Sequence, residues 1–323
     1  MSLEDVRILV TGAAGFIGSN LTNSLLEKGA AVIGIDNFFN GNLENLDEAL
    51  NNKNFQFRKG DIRDLNFLLD ILREIDIIFH EAAFTSVPQS ILMPESCNDV
   101  NINGTLNVLN AARIKDVEKV IFASSSSVYG DTPTLPKKED MLRLPISPYG
   151  VSKMACESYM QTYYHLYGLK TTSLRYFNVY GPRQKYSPYS GVIAIWLGRI
   201  INNKDLIIFG NGEQSRDFTY IKDVIQANIL ATRDHAEGQI LNIGAGSPIK
   251  LIDLAKLILK ITNKENLKIS YTDPRPGDIL HSYADISLAK KIIGFQPKFN
   301  QEQGLRDYFN WYSNKFKIDL KIC

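Results

Sequence analysis

The chain has 323 residues, of which 44% are hydrophobic and 22% charged, a composition that permits a sizeable apolar core. The net charge of +1 gives no electrostatic attraction for nucleic acid. Three cysteines at unrelated spacings form no disulfide framework, and four scattered histidines lack metal-ligand spacing. No apolar run approaches the roughly 20 residues of a membrane span. We therefore expect a soluble, cytoplasmic protein without metal, membrane or nucleic-acid partners.

The first half of the chain alternates short apolar runs with segments of helical periodicity. The runs are rich in Val, Ile and Phe and cover 7–12, 31–36, 55–61, 76–83 and 119–125. Apolar strands separated by helices are typical of a parallel sheet covered on both faces. The sequence predicts a doubly wound (Rossmann) α/β fold, whose ligands bind at the carboxyl ends of the strands.

The pattern of predicted elements changes after about residue 176. Shorter strands and helices then mix with loops rich in Pro and Gly, such as YGPRQKYSPYSG and TDPRPGD. We expect a Rossmann domain over 1–175 and a smaller α/β substrate domain over 176–323. Part of the second domain is expected to return to the sheet near 219–246.

A glycine-rich turn, LVTGAAGFIGSN, follows the first predicted strand and contains Gly12, Gly15 and Gly18. Such a turn lets a pyrophosphate approach backbone N–H groups at the positive end of a helix dipole. The spacing G-x-x-G-x-x-G also suits a plain tight turn. Asp36 at the end of the second strand favours dinucleotide binding, because its carboxylate can accept hydrogen bonds from ribose hydroxyls. It also repels a 2′-phosphate, which favours NAD over NADP.

The third predicted strand ends in GDIRD, which contains Asp61 and Ile62. We expect these two residues to border the adenine. A turn role for Asp61 is the alternative.

The segment ISPYGVSKMACESYMQTYYHLYG carries strong helix signals. Ser147 suits the N-cap, Pro148 the first helical position and Gly168 the C′ position. Tyr149 and Lys153 then lie four residues apart on one helix face. An ammonium, a nicotinamide cation and the helix N-terminus all favour a phenolate, so we expect a Tyr149 pKa lowered toward neutrality and a general-base role. An exposed Tyr/Lys pair on an amphipathic helix is the alternative.

Four stretches, TGAAGFIG, SSSSVYG, YGVSK and RYFNVYGP, resemble the extended short-chain dehydrogenase/reductase family over nearly the whole chain. LRYFNVYGPRQ, GNGEQSRDFTYIKDVIQAN and RPGDILHSYADISLAKKIIGFQPKF resemble its UDP-sugar 4-epimerases, and most closely the branch with UDP-N-acetylglucosamine 4-epimerases. The resemblance implies NAD binding by residues 1–175 and UDP-sugar binding by residues 176–323. It also implies a homodimer formed through the Tyr149 helix and the helix near residues 94–114.

The resemblance implies a redox-neutral mechanism as well. Tyr149 removes the proton of the sugar 4-OH while C4 passes a hydride to NAD⁺. Ser125 hydrogen-bonds the same oxygen, and Lys153 holds the ribose and lowers the pKa of Tyr149. The 4-keto sugar turns about its phosphate linkage and takes the hydride back on its other face, so NAD stays bound.

The same resemblance implies two sets of binding residues. The cofactor contacts are Gly12, Gly15, Phe16, Ile17, Gly18, Asp36, Asn37, Asp61, Ile62, Ala82, Ala83, Asn101, Ser124, Tyr149, Lys153 and Tyr176. The substrate contacts are Ser86, Ser125, Ser126, Asn178, Val192, Phe209, Arg216, Arg275, Asp278 and Ser282. Both arginines match diphosphate-binding positions, and guanidinium groups bind phosphate oxygens in a bidentate manner.

Ser282, seven residues beyond Arg275, matches the position that lies beside the sugar 2-position in the family. A tyrosine there would occlude an N-acetyl group, whereas serine leaves room. We therefore expect both UDP-GlcNAc/UDP-GalNAc and UDP-Glc/UDP-Gal as substrates. A plain small strand-end residue is the alternative.

Ser126 and Ser127 distinguish this chain from related enzymes. Dehydratases of the family carry an Asp-Glu pair at these positions, decarboxylases carry Glu at the second, and epimerases acting at C3 and C5 place a cysteine in the loop. Hydroxyl groups scarcely abstract a carbon-bound proton at neutral pH. We therefore expect simple C4 epimerisation. The alternatives are a UDP-glucuronate 4-epimerase, which tends to carry Thr in place of Asn178, and a non-catalytic NAD-binding regulator, which usually loses the catalytic Tyr or Lys.

Overall fold

A computed structural model describes residues 3–184, 187, 190–274, 279–318, 320 and 322. Two predicted substrate contacts, Arg275 and Asp278, lie outside these residues. Within the described ranges, no helix is both long enough and apolar enough to cross a membrane.

The strands and helices alternate through the first half of the chain. The strands are β1 (Arg7–Thr11), β2 (Ala31–Asp36), β3 (Phe55–Lys59), β4 (Ile77–His80), β5 (Lys119–Ser125), β6 (Lys170–Tyr176), β7 (Val179–Tyr180), β8 (Leu206–Phe209), β9 (Ser215–Asp217), β10 (Thr219–Tyr220), β11 (Gln239–Ile243), β12 (Pro248–Lys250), β13 (Ile269–Thr272) and β14 (His281–Ser282). The α-helices are α1 (Phe16–Glu27), α2 (Asp47–Leu50), α3 (Leu65–Ile71), α4 (Val87–Leu92), α5 (Pro94–Asn98), α6 (Gly104–Ile114), α7 (Pro148–Tyr167), α8 (Val192–Ile201), α9 (Ile221–Leu230), α10 (Leu251–Ile261), α11 (Ser287–Ile293) and α12 (Gln301–Phe316).

Seven strands form one parallel sheet in the order β11-β6-β5-β4-β1-β2-β3. The predicted Rossmann fold is confirmed. β11 lies within 238–246, so a segment that follows residue 176 completes one edge of the sheet beside β6. The chain winds outward in both directions from the β1/β4 pair, and ligands of such sheets bind where the strand order reverses.

The strands contain continuous apolar runs because helices cover both faces of the sheet. On β1, Ile8 and Val10 pack into one core cluster with α1 and α9, whereas Leu9 packs into a second with α3, α6 and α7. Successive strand residues point to opposite faces, so a strand buried on both sides needs apolar residues at nearly every position.

The remaining strands are short and form small sheets beside the main one. β9 pairs with β12 in antiparallel fashion and with β14 in parallel fashion, while β13 pairs with β8. The register of β9 and β14 sets Ser282 opposite Arg216. Two residues that the sequence predicts as substrate contacts are therefore neighbours on one small sheet.

Candidate active site

The turn between β1 and α1 has the shape of a phosphate cradle. Gly12 adopts φ of +69°, and a Cβ there would lie 2.8 Å from the backbone nitrogen of Ala82. A Cβ on Gly18 would lie 2.1 Å from the Gly12 carbonyl oxygen. Phe16 and Ile17 begin α1, whose N-cap residue Gly15 provides no side-chain cap. The turn therefore fits a pyrophosphate, since only glycines permit this close packing and the first N–H groups of the helix face no capping side chain.

Asp36, the last residue of β2, lies against this turn. Its carboxylate accepts hydrogen bonds from the backbone N–H groups of Ala14 at 3.0 Å and Phe38 at 2.7 Å. Burial raises the pKa of Asp36 above its usual value, although these hydrogen bonds act in the opposite direction. A carboxylate beside the glycine turn has the position that a ribose-binding acid requires.

The residues predicted around the adenine lie together at the ends of β2 and β3. The Asn37 amide donates to Asp61 at 2.8 Å, and the Arg63 guanidinium donates to both oxygens of the same carboxylate. These hydrogen bonds hold the pKa of Asp61 well below its usual range. Ile62 is buried against Gly104, where a Cβ would lie 2.5 Å from its Cδ1 atom.

Helix α7 has the predicted boundaries. The Ser147 hydroxyl accepts a hydrogen bond from the Gly150 N–H at 3.1 Å, and Gly168 ends the helix with φ of +70°. Ser90 on α4 accepts a further hydrogen bond from the Tyr149 N–H at 3.2 Å. The first turn of α7 is therefore fixed from two sides, which sets the position of the Tyr149 ring.

Ser125, Tyr149 and Lys153 meet where β5 ends. Burial raises the pKa of Tyr149 overall, and its hydrogen bond with Ser125 acts in the opposite direction. The Ser125 oxygen accepts hydrogen bonds from the Ser127 N–H at 3.2 Å and the Ser127 hydroxyl at 2.9 Å. Lys153 is buried, donates to the Ala123 carbonyl at 2.7 Å, and has its Nζ atom 5.8 Å from the centre of the Tyr149 ring.

The predicted lowering of the Tyr149 pKa is wrong for the polypeptide by itself. Burial is the main cause that raises this pKa to about 12, with smaller contributions from Cys97, Cys156 and Glu81. Lys153 does not reverse the effect, because its ammonium is held by the Ala123 carbonyl rather than by the phenol. Burial also lowers the pKa of Lys153.

Two predicted cofactor residues use their side chains inside the protein. Asn101, in the π-helical turn Asp99–Asn103, accepts from the Phe84 N–H at 2.7 Å and donates to the Phe84 carbonyl at 3.2 Å. Ser124 donates to Glu157 at 2.5 Å, within a buried ion pair with Arg175. Asn101 therefore holds the loop after β4, and the Ser124 hydroxyl points away from Ser125, as strand alternation requires.

The loop after β4 carries other predicted contacts. Ala82 and Ala83 follow Glu81 in this loop and are half-buried, and the Ala82 N–H donates to Thr11 at 3.1 Å. Ser86 is the N-cap of α4 and accepts from the Gln89 N–H. Ser126 begins a 3₁₀ turn, Ser126–Tyr129, beside the catalytic serine.

The other described substrate residues lie on or beside the elements that follow β6. Asn178 donates to the Asp217 carbonyl at 3.2 Å, and Arg216 donates from Nη1 to the carbonyls of Ser215 and Leu280. Val192 is the first residue of α8. Phe209 ends β8 and lines a cleft of about 720 Å³, within the range of small-molecule sites.

Glu81 is a functional candidate that the sequence reasoning missed. It follows β4 directly, and its Oε1 atom accepts a hydrogen bond from the Tyr176 hydroxyl at 2.9 Å. Burial raises the pKa of Glu81 to about 7. The sequence contained a usable signal, since Glu81 is an acidic residue at the carboxyl end of a buried parallel strand.

Comparison with known proteins decides the family. Residues 8–244 match the model of the NAD dependent epimerase/dehydratase family. The chain belongs to that family. The resemblance inferred from the sequence motifs is confirmed, and NAD is the cofactor for which the glycine turn and Asp36 are suited.

Three solved structures are similar over almost their full length. A UDP-N-acetylglucosamine 4-epimerase of Methanobrevibacter ruminantium, in complex with UDP-N-acetylmuramic acid, is 40% identical with a TM-score of 0.92, covering 97% of this chain and 99% of its own. A UDP-glucose 4-epimerase of Thermotoga maritima with UDP-glucose is 37% identical, with a TM-score of 0.92 and coverage of 96% and 100%. A UDP-glucuronic acid 4-epimerase of Bacillus cereus, with UDP-glucuronic acid and NAD, is 33% identical, with a TM-score of 0.90 and coverage of 96% and 100%.

Proposed function

We propose that the protein is an NAD-dependent 4-epimerase of UDP-hexoses, including N-acetylated ones. The observation that carries this proposal is the meeting of Ser125 and Tyr149 at the end of β5, at the same edge of the sheet as the glycine turn. The named relatives with UDP-sugar 4-epimerase activity support it.

The reaction assigns a role to each catalytic side chain. Bound NAD supplies a hydride acceptor for C4 and a donor for its return. Tyr149 takes the proton of the sugar 4-OH and later gives it back. Ser125 hydrogen-bonds the same oxygen, and Ser127 orients the Ser125 hydroxyl through the 2.9 Å contact between them. Burial raises the Tyr149 pKa to about 12 in the polypeptide, and the Lys153 ammonium, 5.8 Å from the ring centre, together with the positive charge of bound NAD⁺ would favour the phenolate form.

The hydroxyl groups of the 126–129 turn support simple epimerisation. Ser127 has a structural task in holding Ser125, and neither Ser126 nor Ser127 can act as a strong base toward a carbon-bound proton. Dehydratases and decarboxylases of the family are expected to carry a carboxyl group at this turn, and this chain has none there.

The acceptance of N-acetylated sugars follows from Ser282. It lies opposite Arg216 in the β9/β14 pair, so the residue proposed to face the sugar 2-position adjoins the residue proposed to hold the diphosphate. A side chain as small as serine leaves the space that an acetamido group needs.

A UDP-glucuronate 4-epimerase is the second candidate. The similarity to the Bacillus cereus enzyme favours it, because a sugar carboxylate requires only local changes of the pocket. Asn178 counts against it, since that group tends to carry Thr at this position.

The domain division and the assembly belong to the same proposal. Residues 1–175 would bind NAD and residues 176–323 the UDP-sugar. The predicted homodimer is supported by large apolar side chains exposed on α7, namely Tyr159, Leu166 and Tyr167.

One experiment tests the proposed function. The purified protein is incubated separately with UDP-GlcNAc, UDP-Glc and UDP-GlcA, without added NAD, and the 4-epimers are resolved. Conversion of UDP-GlcNAc and UDP-Glc supports the proposal. Conversion of UDP-GlcA alone would favour a UDP-glucuronate 4-epimerase instead. Absence of any conversion, also with NAD supplied, overturns the enzymatic function.

A further inference from the structure

Glu81 is held in a defined position near the catalytic serine, because its partner Tyr176 lies opposite Ser125 in the β5/β6 register. The Tyr176 hydroxyl donates to Glu81 Oε1 at 2.9 Å and accepts a hydrogen bond from Asn228 Nδ2 at 2.7 Å. Asn228 also donates to the Val224 carbonyl at 3.0 Å, which fixes the amide on α9. These contacts come from β6 and α9, so the carboxyl group is placed by elements distant in the chain.

The titratable groups that face Glu81 come from three elements. Tyr176 contributes from β6, Lys153 and Tyr149 from α7, and His80 is its neighbour on β4. His80 is uncharged, because burial lowers its pKa to about 3 while Thr11 and Thr105 occupy its two ring nitrogens. Among these groups, Lys153 is the cation and Glu81 is the carboxyl group that can balance it.

Burial and hydrogen bonding act on Glu81 in opposite directions. Burial raises its pKa to about 7, while the Tyr176 hydrogen bond and the Lys153 ammonium lower it. A further cation nearby would favour the ionised form. An oxidised nicotinamide ring carries such a positive charge, and the reduced ring does not.

We propose that Glu81 is a proton-linked counter-charge that favours the oxidised form of the bound NAD. Without it, a buried Lys153 ammonium and a cationic ring would share a region of low dielectric in which the other carboxylate acting on Lys153, Glu157, is already paired with Arg175. Its use in epimerisation rests on the proposed function: the carboxylate would favour return of the hydride to the sugar over its retention on the enzyme.

The proposal has a proton balance. Reduction of the cofactor takes up two electrons and one proton, together equivalent to a hydride. The ring then loses its positive charge, and the Glu81 carboxylate takes up a further proton from solvent. Because coupling between two sites is reciprocal, protonation of Glu81 must favour reduction by the same factor.

Two substitutions separate the charge of Glu81 from its hydrogen bond. Glu81→Gln retains the shape and an oxygen that accepts from Tyr176, but removes the titratable charge. Tyr176→Phe removes the hydrogen bond and leaves the carboxyl group. In the second variant the Glu81 carboxyl group remains titratable, and the Lys153 ammonium still favours its ionised form.

The test is a redox titration of the NAD-loaded protein against a reference dye couple, followed by the absorbance of reduced nicotinamide at pH 8.5 and pH 5.5. At pH 8.5 we expect Glu81→Gln to raise the equilibrium constant for reduction on the order of tenfold, about 30 mV for a two-electron couple. At pH 5.5, where Glu81 is protonated in the parent, the difference should shrink to below about twofold. Tyr176→Phe keeps the titratable carboxyl group, so between pH 8.5 and pH 5.5 its reduction equilibrium should show the same additional pH dependence as the parent, whatever its absolute potential.

Three outcomes overturn the inference: equal potentials of parent and Glu81→Gln, a difference that does not depend on pH, or a Tyr176→Phe variant that behaves as Glu81→Gln. The titration needs bound NAD but no sugar. A failure of the proposed epimerisation would therefore appear in the sugar assay, while the titration would still decide the role of Glu81 toward the cofactor.

Discussion

The cofactor side and the sugar side of the site are built in different ways. The glycine turn, Ser125 and Lys153 lie on the long sheet or on the 20-residue helix α7, and their backbones are fixed by close packing. Arg216 and Ser282 lie on strands of three and two residues, held by a few backbone hydrogen bonds. The difference suits a reaction in which hydride transfer needs fixed geometry while the sugar ring must turn over.

The cofactor side and the sugar side also contribute different kinds of binding energy. Contacts at the diphosphate are remote from the reacting carbon and can hold the substrate through both halves of the reaction. Contacts at Tyr149 act on the proton that moves. Changes on the two sides should therefore affect different kinetic constants.

The largest effect is expected at the catalytic phenol. Tyr149→Phe removes the group that exchanges the 4-OH proton, and we expect turnover of UDP-GlcNAc to fall by about 10³-fold. NAD retention, measured after gel filtration, should be unchanged. A variant that keeps more than a tenth of the parent turnover would contradict the role of Tyr149 as the base.

The rigidity of the cofactor side is tested at Gly12. Gly12→Ala forces a positive φ on alanine and brings Cβ to 2.8 Å from the Ala82 nitrogen, so NAD affinity should fall by about 100-fold and the protein should lose about 1–3 kcal/mol of unfolding free energy.

Gly168→Ala is the matched control for Gly12→Ala. Its φ of +70° is similar, but no atom lies within 4 Å of the added Cβ. We expect a loss of about 1 kcal/mol in thermal or denaturant unfolding, with unchanged NAD binding. Equal effects of the two substitutions on NAD affinity would contradict the assignment of the β1–α1 glycine turn as the pyrophosphate site.

The sugar side is tested first at Arg216. Arg216→Ala should raise KM for UDP-sugars by about 10–50-fold through loss of diphosphate contacts, and leave the redox potential of bound NAD unchanged. Arg306→Ala, which removes an exposed pair with Glu302 on α12, is the control. A fall in kcat with constant KM would place Arg216 in the chemical step instead.

The smallest expected effect concerns the sugar 2-position. Ser282→Tyr should lower kcat/KM for UDP-GlcNAc by about tenfold relative to UDP-Glc, because the larger side chain occupies the space of the acetamido group. Ser282→Ala should preserve the ratio. If N-acetyl turnover survives the tyrosine, Ser282 does not control substrate choice.

The sequence predicted the elements that depend on local patterns. Continuous apolar runs located the strands, although 76–83 was too long because β4 ends at His80 and residues 81–83 belong to the loop. Capping residues gave both ends of α7, since Ser147 and Gly168 act through their own backbone neighbours.

The properties that the sequence did not predict depend on distant contacts. Glu81 is held half-buried by Tyr176, 95 residues further along the chain, and the raised Tyr149 pKa follows from burial that no local pattern reports. Ser124 was grouped with Ser125, although alternation along a strand sends adjacent side chains to opposite faces. The direction of the Ser124 hydroxyl could have been predicted from the sequence.

The most direct test of the central claim follows the hydrogen on C4. UDP-GlcNAc carrying deuterium at C4 is converted in ordinary water, and the product epimer is analysed by mass spectrometry and NMR. Hydride transfer to bound NAD and back predicts that the deuterium remains on C4 of the product. Replacement of the deuterium by solvent hydrogen would contradict the mechanism.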